Sequence, residues 1–152
     1  MAGISISVQY PVDTEKPEVA TVCCCDGRYI RATEQFLFVQ GINNHDILAL
    51  PGGPALLCME TAFIFELSVV TEALDFLVTS HKTKVLNLIS HAQCGYYLKR
   101  FGSADDDRVK EDLRRAGRRM RDKYPGLRIL LFFVQPKSGQ KQDGFVFDQV
   151  MM

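Results

Sequence analysis

Short apolar runs alternate with longer amphipathic segments along most of this chain, and Gly and Pro residues separate them. The runs that predict strands are residues 19–23, 47–50, 85–89 and 127–134. This alternation is typical of α/β proteins, in which helices join buried parallel strands. The sequence therefore predicts a three-layer α/β fold, with an open, mostly parallel sheet and helices on both faces. A last run at 145–150 follows a polar turn and predicts an antiparallel edge strand at the carboxyl terminus.

The amphipathic segments predict the helices that cover this sheet. Residues 33–40 predict a short helix, residues 55 to about 79 a long one, and residues 105–123 a third, which Pro125 and Gly126 end. The first 18 residues alternate in polarity and predict an amino-terminal arm or strand. A length of 152 residues fits one domain, 1–152.

Charge and composition exclude several classes of function. Lys plus Arg and Asp plus Glu both number 18, so no excess charge favours nucleic acid or an anionic membrane. No apolar run approaches the ~18 residues of a membrane span, and the amino terminus lacks a secretory pattern, so we expect a cytoplasmic protein without nucleic-acid or membrane partners. Five cysteines, three of them consecutive, argue against a disulfide scaffold.

Polar side chains collect where two of the predicted strands end. Cys24, Asp26 and Arg28 follow the first strand, and His91 and Cys94 follow the third. Ligands of open α/β sheets bind at this carboxyl edge, where neighbouring strands lie ~4.8 Å apart. Two thiolates and one imidazole form a common zinc site, with water or an oxygen ligand as the fourth partner. The residues therefore predict a zinc site, although a buried thiol pair beside a satisfied histidine is the simpler alternative.

The remaining cysteines and a second spacing pattern have other interpretations. Cys23, Cys25 and Cys58 are predicted to be core thiols, since cysteine is often buried for packing alone. Cys94 and Arg100 have the spacing of a phosphatase loop, but the bulky residues between them favour the first turns of a helix.

The two polar clusters together resemble a known family. Cys24-Cys25-Asp26-Gly27-Arg28 followed by His91-Ala92-Gln93-Cys94-Gly95 is similar to the paired signature of the β-class carbonic anhydrases. The resemblance implies zinc held by Cys24, His91 and Cys94, with Asp26 and Arg28 as a catalytic dyad. It also implies hydration of CO2 to bicarbonate in a homodimer or higher homo-oligomer.

The resemblance leaves two states of Asp26 open. In one, Arg28 holds the carboxylate off the metal and Asp26 accepts from the zinc-bound water; in the other, Asp26 caps the zinc. The chain departs from the family at 50–54, where an Arg-Asn turn is usual, and at Ser90, where Gly is usual. These departures suggest a divergent enzyme, acting on CO2 or on a similar molecule such as COS or CS2. The alternative is a non-catalytic zinc-binding dimer in which Asp26 caps the metal.

Overall fold

A five-stranded sheet forms the centre of the protein. The structure, a computed structural model, describes residue 7 and residues 15–58, 62–139 and 143–152. The strands are β1 (Val19–Cys24), β2 (Asp46–Leu50), β3 (Val85–His91), β4 (Arg128–Pro136) and β5 (Phe145–Gln149). Their order in the sheet is β2-β1-β3-β4-β5. The predicted amino-terminal arm, 1–18, lies outside the described residues except for residues 7 and 15–18.

The sheet is parallel except at one edge. β1 pairs in parallel with both β2 and β3, β3 pairs in parallel with β4, and β5 runs antiparallel to β4. The predicted α/β class and the antiparallel strand at the carboxyl terminus are therefore confirmed. The strand order reverses between β1 and β3, so the carboxyl ends of these two strands form the crevice in which α/β proteins usually bind ligands.

In the described part of the chain, four α-helices connect the strands. They are α1 (Gly27–Val39), α2 (Ile64–Phe76, which continues as a π-helical turn to His81), α3 (Gly95–Phe101) and α4 (Asp106–Lys123). The prediction that the first helix begins near residue 33 is wrong by almost two turns. The Asp26 side chain accepts a hydrogen bond from the backbone N–H of Arg28 at 3.0 Å, and this cap starts the helix directly after β1.

The long helix predicted over 55–79 is also wrong at its amino-terminal end. Gly53–Leu57 form a 3-10 turn, and all five residues are buried. Cys58 is extended, and α2 begins only after Phe63, whose backbone N–H donates to the Glu66 carboxylate at 2.8 Å. An amphipathic helix would expose one side of residues 53–57, so their complete burial explains why they turn tightly against the sheet instead.

The core is divided by the sheet into a larger and a smaller half. The larger half joins one face of the sheet to the 3-10 turn and to α2, α3 and α4, through residues such as Leu57, Leu74 and Leu113. On the opposite face, Tyr29 of α1 packs with Ile89 and neighbouring side chains. Helices therefore cover both faces, as predicted. Within the described part of the chain, no helix is both long and apolar enough to cross a membrane.

Candidate metal centre

The candidate site lies where the strand order reverses. Cys24 is the last residue of β1 and His91 the last residue of β3, and these strands are neighbours in the sheet. Gln93 adopts a left-handed backbone conformation with φ of 56°, which turns the chain after β3. Cys94 follows this turn and precedes α3. The fold therefore brings together three side chains from two segments that are far apart in the sequence.

Three potential metal ligands converge at this point. One donor atom each from Cys24, His91 and Cys94 lies within 4.8 Å of the other two, and all three residues are buried. The two sulfur atoms are 4.0 Å apart. Tetrahedral zinc with Zn–S bonds of ~2.3 Å separates two sulfur ligands by just under ~4 Å, so this spacing suits the metal.

The His91 ring has one nitrogen in use and one free. Nδ1 lies 2.8 Å from the Ala92 carbonyl oxygen, and because that oxygen can only accept, Nδ1 carries the proton and donates. Nε2 is then a lone-pair acceptor, and it is buried without a hydrogen-bond partner among the described residues. A buried, unpartnered nitrogen is costly unless another group occupies it. Nε2 therefore fits a metal ligand, and the hydrogen bond from Nδ1 to the Ala92 carbonyl fixes the tautomer of the ring.

Tyr29 stabilises the orientation of this imidazole. Its ring stacks on His91 with centroids 3.8 Å apart and planes 20° from parallel. Its hydroxyl donates to the same Ala92 carbonyl at 3.3 Å. Sequence reasoning missed Tyr29, although it directly follows Arg28 in the signature.

The two thiols are electrostatically coupled. The hydrogen bond from Cys94 lowers the pKa of Cys24, while the same bond and burial raise the pKa of Cys94. The pair thus favours one thiolate and one thiol that share a proton. A divalent cation can take the place of that proton, so the chemistry of the donor set also fits zinc.

Asp26 and Arg28 form an ion pair beside the thiols. The Arg28 guanidinium donates to both carboxylate oxygens of Asp26, with Nε 2.9 Å from Oδ1 and Nη2 in contact with Oδ2. The hydrogen bonds from Arg28 lower the pKa of Asp26 to about 2, so the carboxylate is charged at neutral pH. Its oxygens do not belong to the group of clustered donor atoms among the described residues.

Gly53 allows the chain to pass directly behind Cys24. Its φ is 52°, and a Cβ atom there would lie 2.6 Å from the Cys23 carbonyl carbon and 2.7 Å from the Cys24 nitrogen. Gly52, also with positive φ, lies under the Tyr96 ring. Gly52 and Gly53 lie where the sequence departs from the family pattern. They therefore allow the chain to pack closely against the segment that carries Cys24.

Replacing Gly53 by alanine is expected to lower the free energy of unfolding by about 2–5 kcal/mol. The left-handed backbone costs roughly 1–2 kcal/mol with a Cβ, and the clash with backbone atoms adds about 1–3 kcal/mol. Gly41→Ala is the matched control, because its φ is 77° but no described atom lies within 4 Å of the added Cβ. Urea unfolding of both variants measures the difference, and equal losses would contradict the close-contact argument.

The site opens into a cavity of about 680 Å³. Cys24, Asp26 and His91 line its base, and Phe63, Tyr96 and Arg100 are among the residues of its wall. The sequence did not predict this wall, because the packing of α2 and α3 decides which of their side chains face the cavity.

Arg100 does not act as part of a phosphatase loop. Its guanidinium lies 3.9 Å from the centroid of the Phe63 ring and donates to Glu66 at 3.3 Å, and Gly95–Phe101 is helical, as the bulky residues predicted.

The other cysteines are divided between core and surface. Cys23 and Cys58 are buried, as predicted. The prediction that Cys25 is a core thiol is wrong, because the chain leaves the sheet at this residue and exposes it beside Cys24. Burial raises the pKa of Cys23 to about 12, and its sulfur does not belong to the cluster of donor atoms found in the described part of the chain.

Comparison with known proteins supports the fold. No protein-family model and no curated protein matches the sequence. Among solved structures, β-carbonic anhydrase isoform I of Trichomonas vaginalis has a TM-score of 0.60 at 12% identity, covering 95% of this chain and 88% of that chain. A tetrameric β-carbonic anhydrase of Sordaria macrospora gives 0.58 at 13% identity, covering 91% and 82%. A carbonic anhydrase of Glaciozyma antarctica gives 0.57 at 14% identity, covering 90% and 83%. The chain therefore has the fold of the β-carbonic anhydrases.

Proposed function

We propose that this protein is a zinc-dependent lyase that hydrates CO2 to bicarbonate and a proton. Cys24, His91 and Cys94 hold the zinc ion in this proposal. The observation that carries it is the convergence of these three donors within 4.8 Å, with His91 Nε2 buried and unpartnered among the described residues, at the base of a cavity. The β-carbonic anhydrase fold is consistent with this activity.

Asp26 and Arg28 are the proposed catalytic dyad. Bound zinc supplies the Lewis acidity that lets water ionise near neutral pH. Asp26 faces the same cavity and, as a carboxylate, accepts a hydrogen bond from the reacting water and orients it. Arg28 keeps that carboxylate in place through its two hydrogen bonds.

The Asp26–Arg28 pair favours the enzyme over the capped, non-catalytic zinc protein. A carboxylate that caps zinc would have to place one oxygen among the thiol and imidazole donors, and within the described residues neither oxygen of Asp26 belongs to that cluster. Both oxygens of Asp26 instead accept from Arg28, and a bidentate arginine–carboxylate pair is among the stronger polar contacts in proteins. The geometry therefore supports the state in which Asp26 stays off the three donors, so that zinc held by them would remain accessible to water.

Metal analysis and stopped-flow CO2 hydration on the same sample test the proposal. We expect one zinc per chain and hydration activity that chelation removes. Release of hydrogen sulfide from COS or CS2, with little CO2 hydration, would identify a related substrate. Bound zinc without turnover of any of the three would support the capped alternative, and absence of zinc from protein purified without chelator would overturn both.

We also propose that the protein forms a homo-oligomer through α2. Several large apolar residues of this helix are exposed, including Ile64 and Phe65, and they adjoin Phe63 at the wall of the cavity. Contiguous exposed apolar residues typically mark an interface. Because the patch borders the site, a second copy of the chain is the occupant that would also close the cavity.

The double variant Ile64→Asp, Phe65→Asp is expected to shift the protein to the monomer, because two buried charges would face the partner. Light scattering coupled to size exclusion measures the mass. Phe38→Asp is the control, since Phe38 is also apolar and exposed but belongs to α1 on the other face of the sheet. A wild-type monomer, or the same change of mass in the control, would contradict this interface.

A further inference from the structure

Asp112 is a buried carboxylate outside the candidate site. It lies on α4 and is 2% exposed, and an uncompensated charge at such a position is strongly destabilising. Its Oδ1 accepts from Arg115 at 3.3 Å, and its Oδ2 lies 3.7 Å from Nε of Arg108. Both arginines are half exposed, so they compensate the charge from the solvent side of the helix.

The other side of Asp112 faces the two segments that contact the thiol ligands. Its Oδ2 accepts from the Tyr97 hydroxyl at 3.2 Å. Tyr97 is buried and follows Cys94 by three residues, one turn of α3. Burial, together with the Asp112 carboxylate, raises the pKa of Tyr97, so its hydroxyl remains a donor.

The second contact of Asp112 is with Cys58, which lies next to the turn that packs against Cys24. The Cys58 thiol lies 3.9 Å from Asp112 Oδ1 and directly follows the 3-10 turn Gly53–Leu57. The first residue of that turn, Gly53, packs against the backbone of Cys24. One carboxylate therefore connects the helix that follows one thiol ligand with the turn that supports the other.

We propose that Asp112, acting through Tyr97 and Cys58, is a positioning residue that sets the separation of the Cys24 and Cys94 sulfur atoms for metal binding. This inference rests on the proposed ligand set. A buried ionic network often stabilises a fold less than apolar residues of the same volume. Its contacts with the segments next to both thiols give this network a geometric role that apolar packing would not supply.

Zinc affinity of a hydroxyl-deletion variant tests the inference. Tyr97→Phe removes only the hydrogen bond to Asp112 and retains the ring. We expect the Kd for zinc, measured by competition with a chromogenic chelator, to rise about three- to tenfold, at or below the lower end of the loss typical for a partner hydrogen-bonded to a ligand, because Tyr97 acts on Cys94 through the start of α3. The visible absorption bands of the Co²⁺-loaded variant should shift, because they report ligand geometry. Asp112→Asn keeps only one of the two acceptor oxygens and removes the charge, so it is expected to weaken zinc binding at least as much as Tyr97→Phe, and wild-type affinity in this variant would contradict the role of Asp112.

Tyr124→Phe is the matched control. The Tyr124 hydroxyl donates to Asp75 at 2.6 Å, so the variant loses the same kind of hydrogen bond, but between α2 and the end of α4. We expect its zinc Kd to remain within about twofold of wild type, as for a distant, independent position. The positioning role would be overturned if Tyr97→Phe had the zinc affinity and the cobalt spectrum of the wild type. It would also be overturned if both variants weakened zinc binding equally. Neither result would affect the proposed function. Failure of the wild type to bind zinc would overturn the proposed function, and this inference with it.

Discussion

Replacing Cys94 by serine is expected to weaken zinc binding by about a hundredfold or more. Structural zinc sites contribute about 10–16 kcal/mol, so the share of one ligand among four is roughly 3 kcal/mol. At about 1.4 kcal/mol per factor of ten, this loss corresponds to about a 150-fold increase in Kd. A loss of the same order is expected for Cys24→Ser, because both sulfurs belong to the cluster of donor atoms. Isothermal competition against a chelator of known affinity measures both values.

The consecutive cysteines provide a sharp control for this prediction. Cys25 is adjacent to Cys24 and exposed, but it does not belong to the cluster of donors among the described residues. Cys25→Ser should therefore bind zinc as the wild type does, within about twofold. If Cys25→Ser loses affinity and Cys24→Ser does not, the ligand assignment is wrong by one position and the strand end must differ from the structure.

The strands were predictable because each is a short apolar run whose length excludes a helix. All five strands begin within one residue of the predicted limits. The prediction of one helix over 55–79 failed at its start. Gly53–Leu57 is buried on all sides because it packs on the sheet, and such burial produces no periodic pattern in the sequence. The start of α1 is readable in principle, since Asp26 is a favourable N-cap residue.

The grouping of Cys24, His91 and Cys94 was predictable for a topological reason. Residues that end adjacent parallel strands must meet at one edge, whatever the intervening chain does. The wall of the cavity followed no such rule, because Phe63 and Arg100 come from helices whose rotation about their axes depends on packing. The burial of Asp112 was not predictable either, since a charged residue on an amphipathic helix is expected to face water.

Asp26→Asn is expected to lower CO2 hydration by a factor of about 10²–10⁴ while zinc remains bound. This is the usual contribution of a positioned group that accepts a proton or orients a reacting water. Asparagine is as good an N-cap as aspartate, so α1 keeps its start and the comparison is free of a folding defect. Since Arg28 holds the pKa of Asp26 at about 2, the carboxylate stays charged throughout the neutral and mildly alkaline range. The loss in the variant should therefore be the same factor throughout that range.

Arg28→Gln separates the catalytic interpretation from the capped one. Without the guanidinium, the Asp26 carboxylate keeps only the N-cap hydrogen bond from the backbone N–H of residue 28 to Oδ1, so Oδ2 is released, and a carboxylate oxygen is itself a good zinc ligand. We therefore expect Arg28→Gln to lose hydration activity but to bind zinc at least as tightly as wild type, whereas Asp26→Asn loses activity without any gain in affinity. The double variant should resemble Asp26→Asn, because the capping group is then absent. Full activity in Asp26→Asn would exclude the dyad from catalysis, even if the three zinc ligands are correctly assigned.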